Sequence, residues 1–191
     1  MPYSVTRTTR ETSVSVTLDP DGAQTRDLDT GLPFLDHMLD QLAFHAGWDL
    51  TVSAQGDLEV DEHHTVEDVA LALGDALQQA WRDRADRMTR YGQRLLPMDE
   101  ALILAAVDLS GRPYCDVELG LVRVAVGGIA AEMWDHFFLS LAMAGAFTLH
   151  IKRERGTNGH HVVEASFKAL ARALGEALAP SDRATSTKGS L

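Results

Sequence analysis

The sequence predicts an α+β fold of two pseudo-repeated halves, each a β-sheet layer covered by helices on one face. Three observations carry this. A segment with a DH pair occurs twice, a segment with HHxxE occurs twice, and stretches of strand periodicity flank both.

The repeat is specific. "LDHMLDQLAFHAGWDLTV" from Leu35 matches "WDHFFLSLAMAGAFTLHI" from Trp134, setting Asp36 and His37 on Asp135 and His136, Leu42 on Leu141, Trp48 on Phe147 and Val52 on Ile151. "HHTVEDVALALGDAL" from His63 likewise matches "HHVVEASFKALARAL" from His160. His37 precedes His63 by 26 residues, and His136 precedes His160 by 24. We expect a first half at residues 1–92, a second at 93–180, and a polar, flexible tail at 181–191.

Taken in order, "TSVSVTLD" alternates as a strand and ends in the turn "DPDG". Leu35, Met38, Leu39 and Leu42 mark a short helix, followed by a strand around Leu50 to Val52. Val66, Val69, Ala70, Leu73, Leu77, Ala80 and Trp81 recur at helical spacing, so HHxxE opens an amphipathic helix. "ALILAAVDL" reads as a fully buried strand, and "CDVEL" and "VRVAV" as alternating ones. Val163, Phe167, Leu170, Leu174 and Leu178 then give the second HHxxE helix.

Composition narrows the function. A formal charge of −11 argues against general nucleic-acid binding, although a few placed cations can still hold a small anion. No run reaches the ~18 apolar residues of a membrane span, and the single Cys115 excludes an internal disulfide and suits a reducing cytoplasm. Histidine is the anomaly: six of the eight fall in the HH pairs and the DH pairs, with His45 close behind His37 and His150 alone in a strand-like stretch.

Helix geometry says what an HHxxE can hold. His63 and Glu67 are four apart and share a face, whereas His64 points about 100° away. The same holds for His160 with Glu164, leaving His161 aside. Two motifs therefore address two sites, with imidazole and carboxylate donors suited to Zn²⁺, Mn²⁺, Fe²⁺ or Co²⁺. Each DH pair could add an imidazole while open coordination positions remain for substrate. A lone HH at a helix start is usually a solvated end, but duplication at near-constant spacing weighs against that. HExxH and HxxEH are absent, and the strands exclude a ferritin-like bundle. A dinuclear hydrolase, or a shell that uses ions only as staples, remains open at this point.

"FLDHMLDQLAFH", "HHTVED", "YGQRLLPMDEAL", "DLSGRPY", "WDHFF" and "GTNGHHVVEASFKALARAL", between "TRET" and "STKG", together resemble the imidazoleglycerol-phosphate dehydratase family of histidine biosynthesis, in its monofunctional form. The resemblance implies a ribosomal protein S5 domain 2-like fold, two Mn²⁺ per active site, and a cytoplasmic 24-subunit homo-oligomer with sites between subunits. It implies a hydro-lyase that removes water from imidazole glycerol phosphate to give imidazole acetol phosphate, through a dimetal-bound imidazolate and a diazafulvene-like intermediate. One ion would take His63, Glu67, His136 and His161, and the other His37, His64, His160 and Glu164. Glu11 and His45 are the implied proton-transfer residues. Glu11, His37, Gln41, His45, Arg90, Arg112, Lys168, Ser186, Thr187 and Lys188 would contact substrate, the cations and the STKG segment meeting its phosphate. His37, Gln41 and His45 form one stripe at four-residue spacing, and Lys168 lies four beyond Glu164 on the same face. Pro33, where glycine is more usual, and the missing proline before "STKG" depart from the pattern without removing a ligand. Deletion after Ala184 is expected to raise the Michaelis constant and leave metal content intact.

Overall fold

A computed structural model describes residues 1–182. The first half runs β1 (Tyr3–Thr8), β2 (Thr12–Asp19), β3 (Arg26–Asp29), α1 (Pro33–Ala46), β4 (Asp49–Gly56) and α2 (His63–Arg82). The second runs β5 (Tyr91–Met98), β6 (Ala101–Asp108), β7 (Tyr114–Glu118), a small hairpin of β8 (Ala125–Val126) and β9 (Ile129–Ala130), α3 (Ala131–Ala144), β10 (Thr148–Arg155) and α4 (Gly159–Leu178). The two four-stranded sheets have matching orders, β1-β2-β4-β3 and β5-β6-β10-β7. In each, the first three strands in that order are antiparallel and the fourth pairs parallel. The two-halves α+β expectation holds, and the β8–β9 hairpin is the insertion that distinguishes the second half.

Side-chain period decides which face each sheet buries. In β2, Val14, Val16 and Leu18 point inward while Ser13 and Ser15 face out. β6 corrects the expectation of a fully buried strand: Ala101, Ile103, Ala105 and Val107 are buried, but the residues between them are only half-buried, because helices cover one face alone. "VRVAV" also differs. Val122 and Val124 are strongly exposed, and only Ala125–Val126 pair, turning through Gly127 and Gly128 at positive φ.

The helices begin and end where local chemistry dictates. Pro33 opens α1, and Gly47 at φ 81° closes it in the left-handed conformation. Asn158, the N-cap of α4, accepts from the His160 amide at 3.0 Å, and Asp61, one residue before the N-cap of α2, accepts from the His63 amide at 2.9 Å, so a side chain ties down the backbone at each HH pair. Helix α2 packs on β1, β2 and β4, and α4 on β5 and β6. Across the halves, α2 packs on α3 and α1 on α4. Trp48, Trp134, Phe137, Phe138, Phe147 and Phe167 fill the continuous core between these layers.

Candidate metal centre

The cross-packing of helices assembles two donor groups. His63 and Glu67 from α2 meet His136 from α3, and His160 and Glu164 from α4 meet His37 from α1. Within each group one ligand atom per residue lies within 4.8 Å of the others. His136 Nε2 is buried and lies 3.2 Å from Glu67 Oε1 without making a hydrogen bond. His63 Nε2 is 3.9 Å from Glu67 Oε2. In the second group Glu164 Oε2 lies 2.9 Å from His160 Nε2 and 3.5 Å from His37 Nε2. Two imidazole nitrogens and one carboxylate oxygen facing a common point fit a borderline divalent ion, and the unbonded His136 nitrogen fits a donor held for a ligand.

Phe34, which the sequence reading passed over, walls the second group. Its ring lies 5.2 Å from that of His160, 6.2 Å from that of His37 and 5.4 Å edge-on from Trp134. It also lies under the β8–β9 turn, where any Cβ on Gly127 would overlap it.

Of each expected set of four ligands, the chain brings three together. His64 and His161 join neither group, as their helical directions require. Each is instead held by a carboxylate at Nδ1: His64 by Asp57 at 3.0 Å and His161 by Glu100 at 2.7 Å. Glu100 is lowered to about 2, first by the His161 bond and then by the Asn158 amide it accepts. Neither partner residue was singled out in the sequence.

Glu11 sits in the β1–β2 turn, with Oε2 3.7 Å from His64 Nε2. That turn is braced by Asp68, whose carboxylate accepts from Arg7 Nε at 2.6 Å and, more closely, from the Thr12 hydroxyl. His45 Nδ1 is buried with no partner, and burial, then Lys168 and Arg172, push its pKa down. Gln41 lies between His37 and His45 and meets Asp40 at 3.4 Å. Lys168 Nζ is 2.7 Å from Glu164 Oε1. Burial works to raise the Glu164 carboxyl, but Lys168, His37 and His160 outweigh it and hold it below the usual range.

The other anion candidates gather elsewhere. Arg90, at φ 75° and largely buried, makes a two-pronged contact with Asp108 at 2.7 and 3.1 Å and stacks on Tyr91. Arg112 reaches the same carboxylate at 3.4 Å with most of its side chain exposed. Ser186, Thr187 and Lys188 lie outside the described residues.

The family model described as imidazoleglycerol-phosphate dehydratase matches residues 30–174. The imidazoleglycerol-phosphate dehydratase of Symbiobacterium thermophilum is 51% identical over 98% of this chain and 91% of its own. That of Dinoroseobacter shibae is 50% identical over 98% of both. The crystal structure of the Staphylococcus aureus enzyme superposes with a TM-score of 0.86 at 37% identity, covering 95% of this chain and all of that one. The matched span includes all six residues of the two donor groups, and on sequence and structure alike the chain belongs to the imidazoleglycerol-phosphate dehydratase family.

Proposed function

We propose that this chain is a metal-dependent hydro-lyase of histidine biosynthesis that converts imidazole glycerol phosphate to imidazole acetol phosphate. The observation that carries the reading is the pair of three-donor groups, each built across both halves and each short of a full coordination set. We assign His63, Glu67 and His136 to one Mn²⁺ and His37, His160 and Glu164 to a second. His161 and His64 complete these sets from neighbouring protomers of a homo-oligomer, which the resemblance puts at 24 subunits. Bound divalent ions supply Lewis acidity toward the nitrogens of an imidazole ring.

The chain's own residues do the rest. Phe34 offers an apolar wall beside His37 and His160. Lys168 brings a cation to the second group and suits a phosphate there, with Arg90, Arg112, Ser186, Thr187 and Lys188 as the further phosphate contacts, reaching it from a neighbouring protomer. Glu11 and His45 transfer the protons: the ring nitrogen gives up a proton and hydroxide leaves the carbon beside the ring, together as water, to give a diazafulvene-like intermediate. The next carbon then loses a proton as the ring nitrogen regains one, and the resulting enol shifts its hydroxyl proton to the carbon beside the ring to become the ketone. His45 is suited to this because its depressed pKa keeps the ring neutral. The reading places the enzyme in the cytoplasm, and among the described residues no helix is long and apolar enough to cross a membrane.

The test is turnover of imidazole glycerol phosphate by chelator-stripped enzyme with and without Mn²⁺, alongside size-exclusion chromatography. Activity should vanish on stripping, return with Mn²⁺, and be accompanied by loss and recovery of the large particle. Full turnover in the stripped enzyme would overturn the metal assignment, and no turnover with metal would overturn the reaction.

A further inference from the structure

We propose that Asp57 and Glu100 are positioning residues for the metal centre. Each grips, through Nδ1, the one histidine of its HH pair that the three-donor groups leave out, and so presents that ring's Nε2 as a ligand. The inference rests on the metal reading above and extends it to two residues outside the HHxxE and DH motifs.

The geometry is the same at both rings. Both Asp57 oxygens approach His64 Nδ1, at 3.0 and 3.2 Å, and Glu100 Oε2 approaches His161 Nδ1 at 2.7 Å. An ionised carboxylate can only accept, so in the neutral ring that a metal ion takes up the proton sits on Nδ1 and the lone pair on Nε2. On that free side each ring has one carboxylate beyond hydrogen-bond reach: Glu11 Oε2 at 3.7 Å from His64 Nε2 and Asp99 Oδ2 at 3.7 Å from His161 Nε2. A carboxylate behind a ligating imidazole fixes its tautomer and direction and raises its basicity. Glu100 adds rigidity, because its Oε1 accepts from the Thr157 and Asn158 amides at 3.3 and 2.8 Å, and Asn158 caps α4.

The repeat supplies the stronger argument. Asp57 directly follows β4, but the matching position after β10 is Gly156, at φ 123°, where a Cβ would meet Ala101 Cβ at 2.9 Å. Glu100 directly precedes β6, but its counterpart before β2 is Glu11, which faces the Nε2 side of His64 instead. Inherited surface charges would occupy matching positions. Here equivalent atoms of equivalent histidines are met by carboxylates from inequivalent positions, which marks a requirement imposed at those atoms. Stability is a weak source of that requirement: the Asp57–His64 pair is half-buried and the Glu100–His161 pair partly exposed, and ion pairs that water still reaches contribute little.

The experiment titrates chelator-stripped, full-length protein with Mn²⁺ alone by isothermal calorimetry. It compares Asp57→Ala and Glu100→Ala with Asp57→Asn, Glu100→Gln, His64→Ala and His161→Ala, and records melting of each metal-free variant. The two carboxylate-to-alanine variants should bind Mn²⁺ about 10–100-fold more weakly, with metal-free melting unchanged in Asp57→Ala and lowered in Glu100→Ala, which also loses the Thr157 and Asn158 amide bonds. The amide variants, which still accept from Nδ1, should recover most of the affinity. Wild-type affinity in Asp57→Ala and Glu100→Ala, with weakening in the histidine variants, overturns this inference alone. An affinity loss in Asp57→Ala that tracks a loss of metal-free stability, or no recovery of affinity in Glu100→Gln, also overturns it. If the wild type binds no Mn²⁺, or His64→Ala and His161→Ala bind as it does, the metal reading falls and the inference with it.

Discussion

Gly74 offers a test of how rigidly the first donor group is held. It lies in α2 against the end of α3, where an added Cβ would come within 2.7 Å of the Leu141 carbonyl oxygen, 2.8 Å of Ala144 Cβ and 2.9 Å of the Gly145 nitrogen. Two of these three are backbone atoms that no rotamer change can move. Intrinsic helix propensity favours alanine over glycine by about 1 kcal/mol, whereas overpacking a filled interior costs about 1–3 kcal/mol. Contacts below 3 Å with backbone put Gly74→Ala toward the upper end, for a net loss of about 1–2 kcal/mol. That corresponds to a fall of about 2–8 °C in melting temperature for a domain of this size. Gly175→Ala on α4 is the control. Its nearest neighbours are Ala46 O at 3.4 Å and Ala46 Cα at 3.8 Å, ordinary contacts that leave propensity to win and raise the melting temperature by about 2–4 °C. Since α2 carries His63 and Glu67 and α3 carries His136, Gly74→Ala should also weaken Mn²⁺ binding, most strongly at that group. The assay is calorimetric melting of stripped protein at equal protomer concentration, followed by Mn²⁺ titration. Wild-type or higher stability in Gly74→Ala, or an equal drop in Gly175→Ala, would refute the close-packing argument.

Asp68→Ala leaves Arg7 and the Thr12 hydroxyl without their acceptor and should cost about 1–3 kcal/mol. By loosening the turn that carries Glu11 it should lower kcat while Mn²⁺ affinity holds, and unchanged kcat would remove the bracing role. Burial, then Asp116 and Asp135, push the Cys115 thiol up to about 12, so a thiol reagent at neutral pH should react only after unfolding. Rapid labelling of native protein contradicts this. Asp75 is raised, by burial against a smaller opposing effect of Arg7. The fold therefore penalises its ionised form, and stability gained below the unfolded pKa is lost as pH rises through the folded one. Asp75→Asn should raise the melting temperature near neutral pH and lose that advantage below about pH 4, read from melting curves across that range.

Where one face of an element repeats at a clean period, its place could be read from residues alone. β2 occupies the span its alternation marks, and both HHxxE motifs open helices whose apolar stripes are buried. β1, at "YSVTRT", escaped notice because its inward positions are only half-buried, and β5 because it carries Pro97 and exposed residues that dilute its pattern. "VRVAV" misled for the opposite reason: its alternation is real, but Val122 and Val124 project from a loop. In the site, the pairing of His63 with Glu67 and of His160 with Glu164, and the divergence of His64 and His161, followed from spacing and helix geometry, whereas which DH histidine joins which pair was implied only by the resemblance. The carboxylate partners of His64 and His161 did not follow, because the Glu100–His161 contact joins residues 61 apart and no period connects a hairpin to a helix start.

The duplication has a consequence that neither half possesses alone. If each repeat folded its own DH helix onto its own HHxxE helix, the chain would hold two independent sites. The packing is crossed instead, α1 on α4 and α3 on α2, so each donor group takes its DH histidine from one half and its HHxxE pair from the other. The core enforces the crossing: Phe34, from the first half, packs edge-on against Trp134 of the second, and Trp81 of α2 donates to the Gly145 carbonyl beyond α3 at 2.8 Å. A half that separated would expose these aromatics and strand a lone imidazole opposite a bare His/Glu pair. The ligand positions are thus coupled to the core's own burial of apolar surface, and any loosening between the halves must reach both donor groups together.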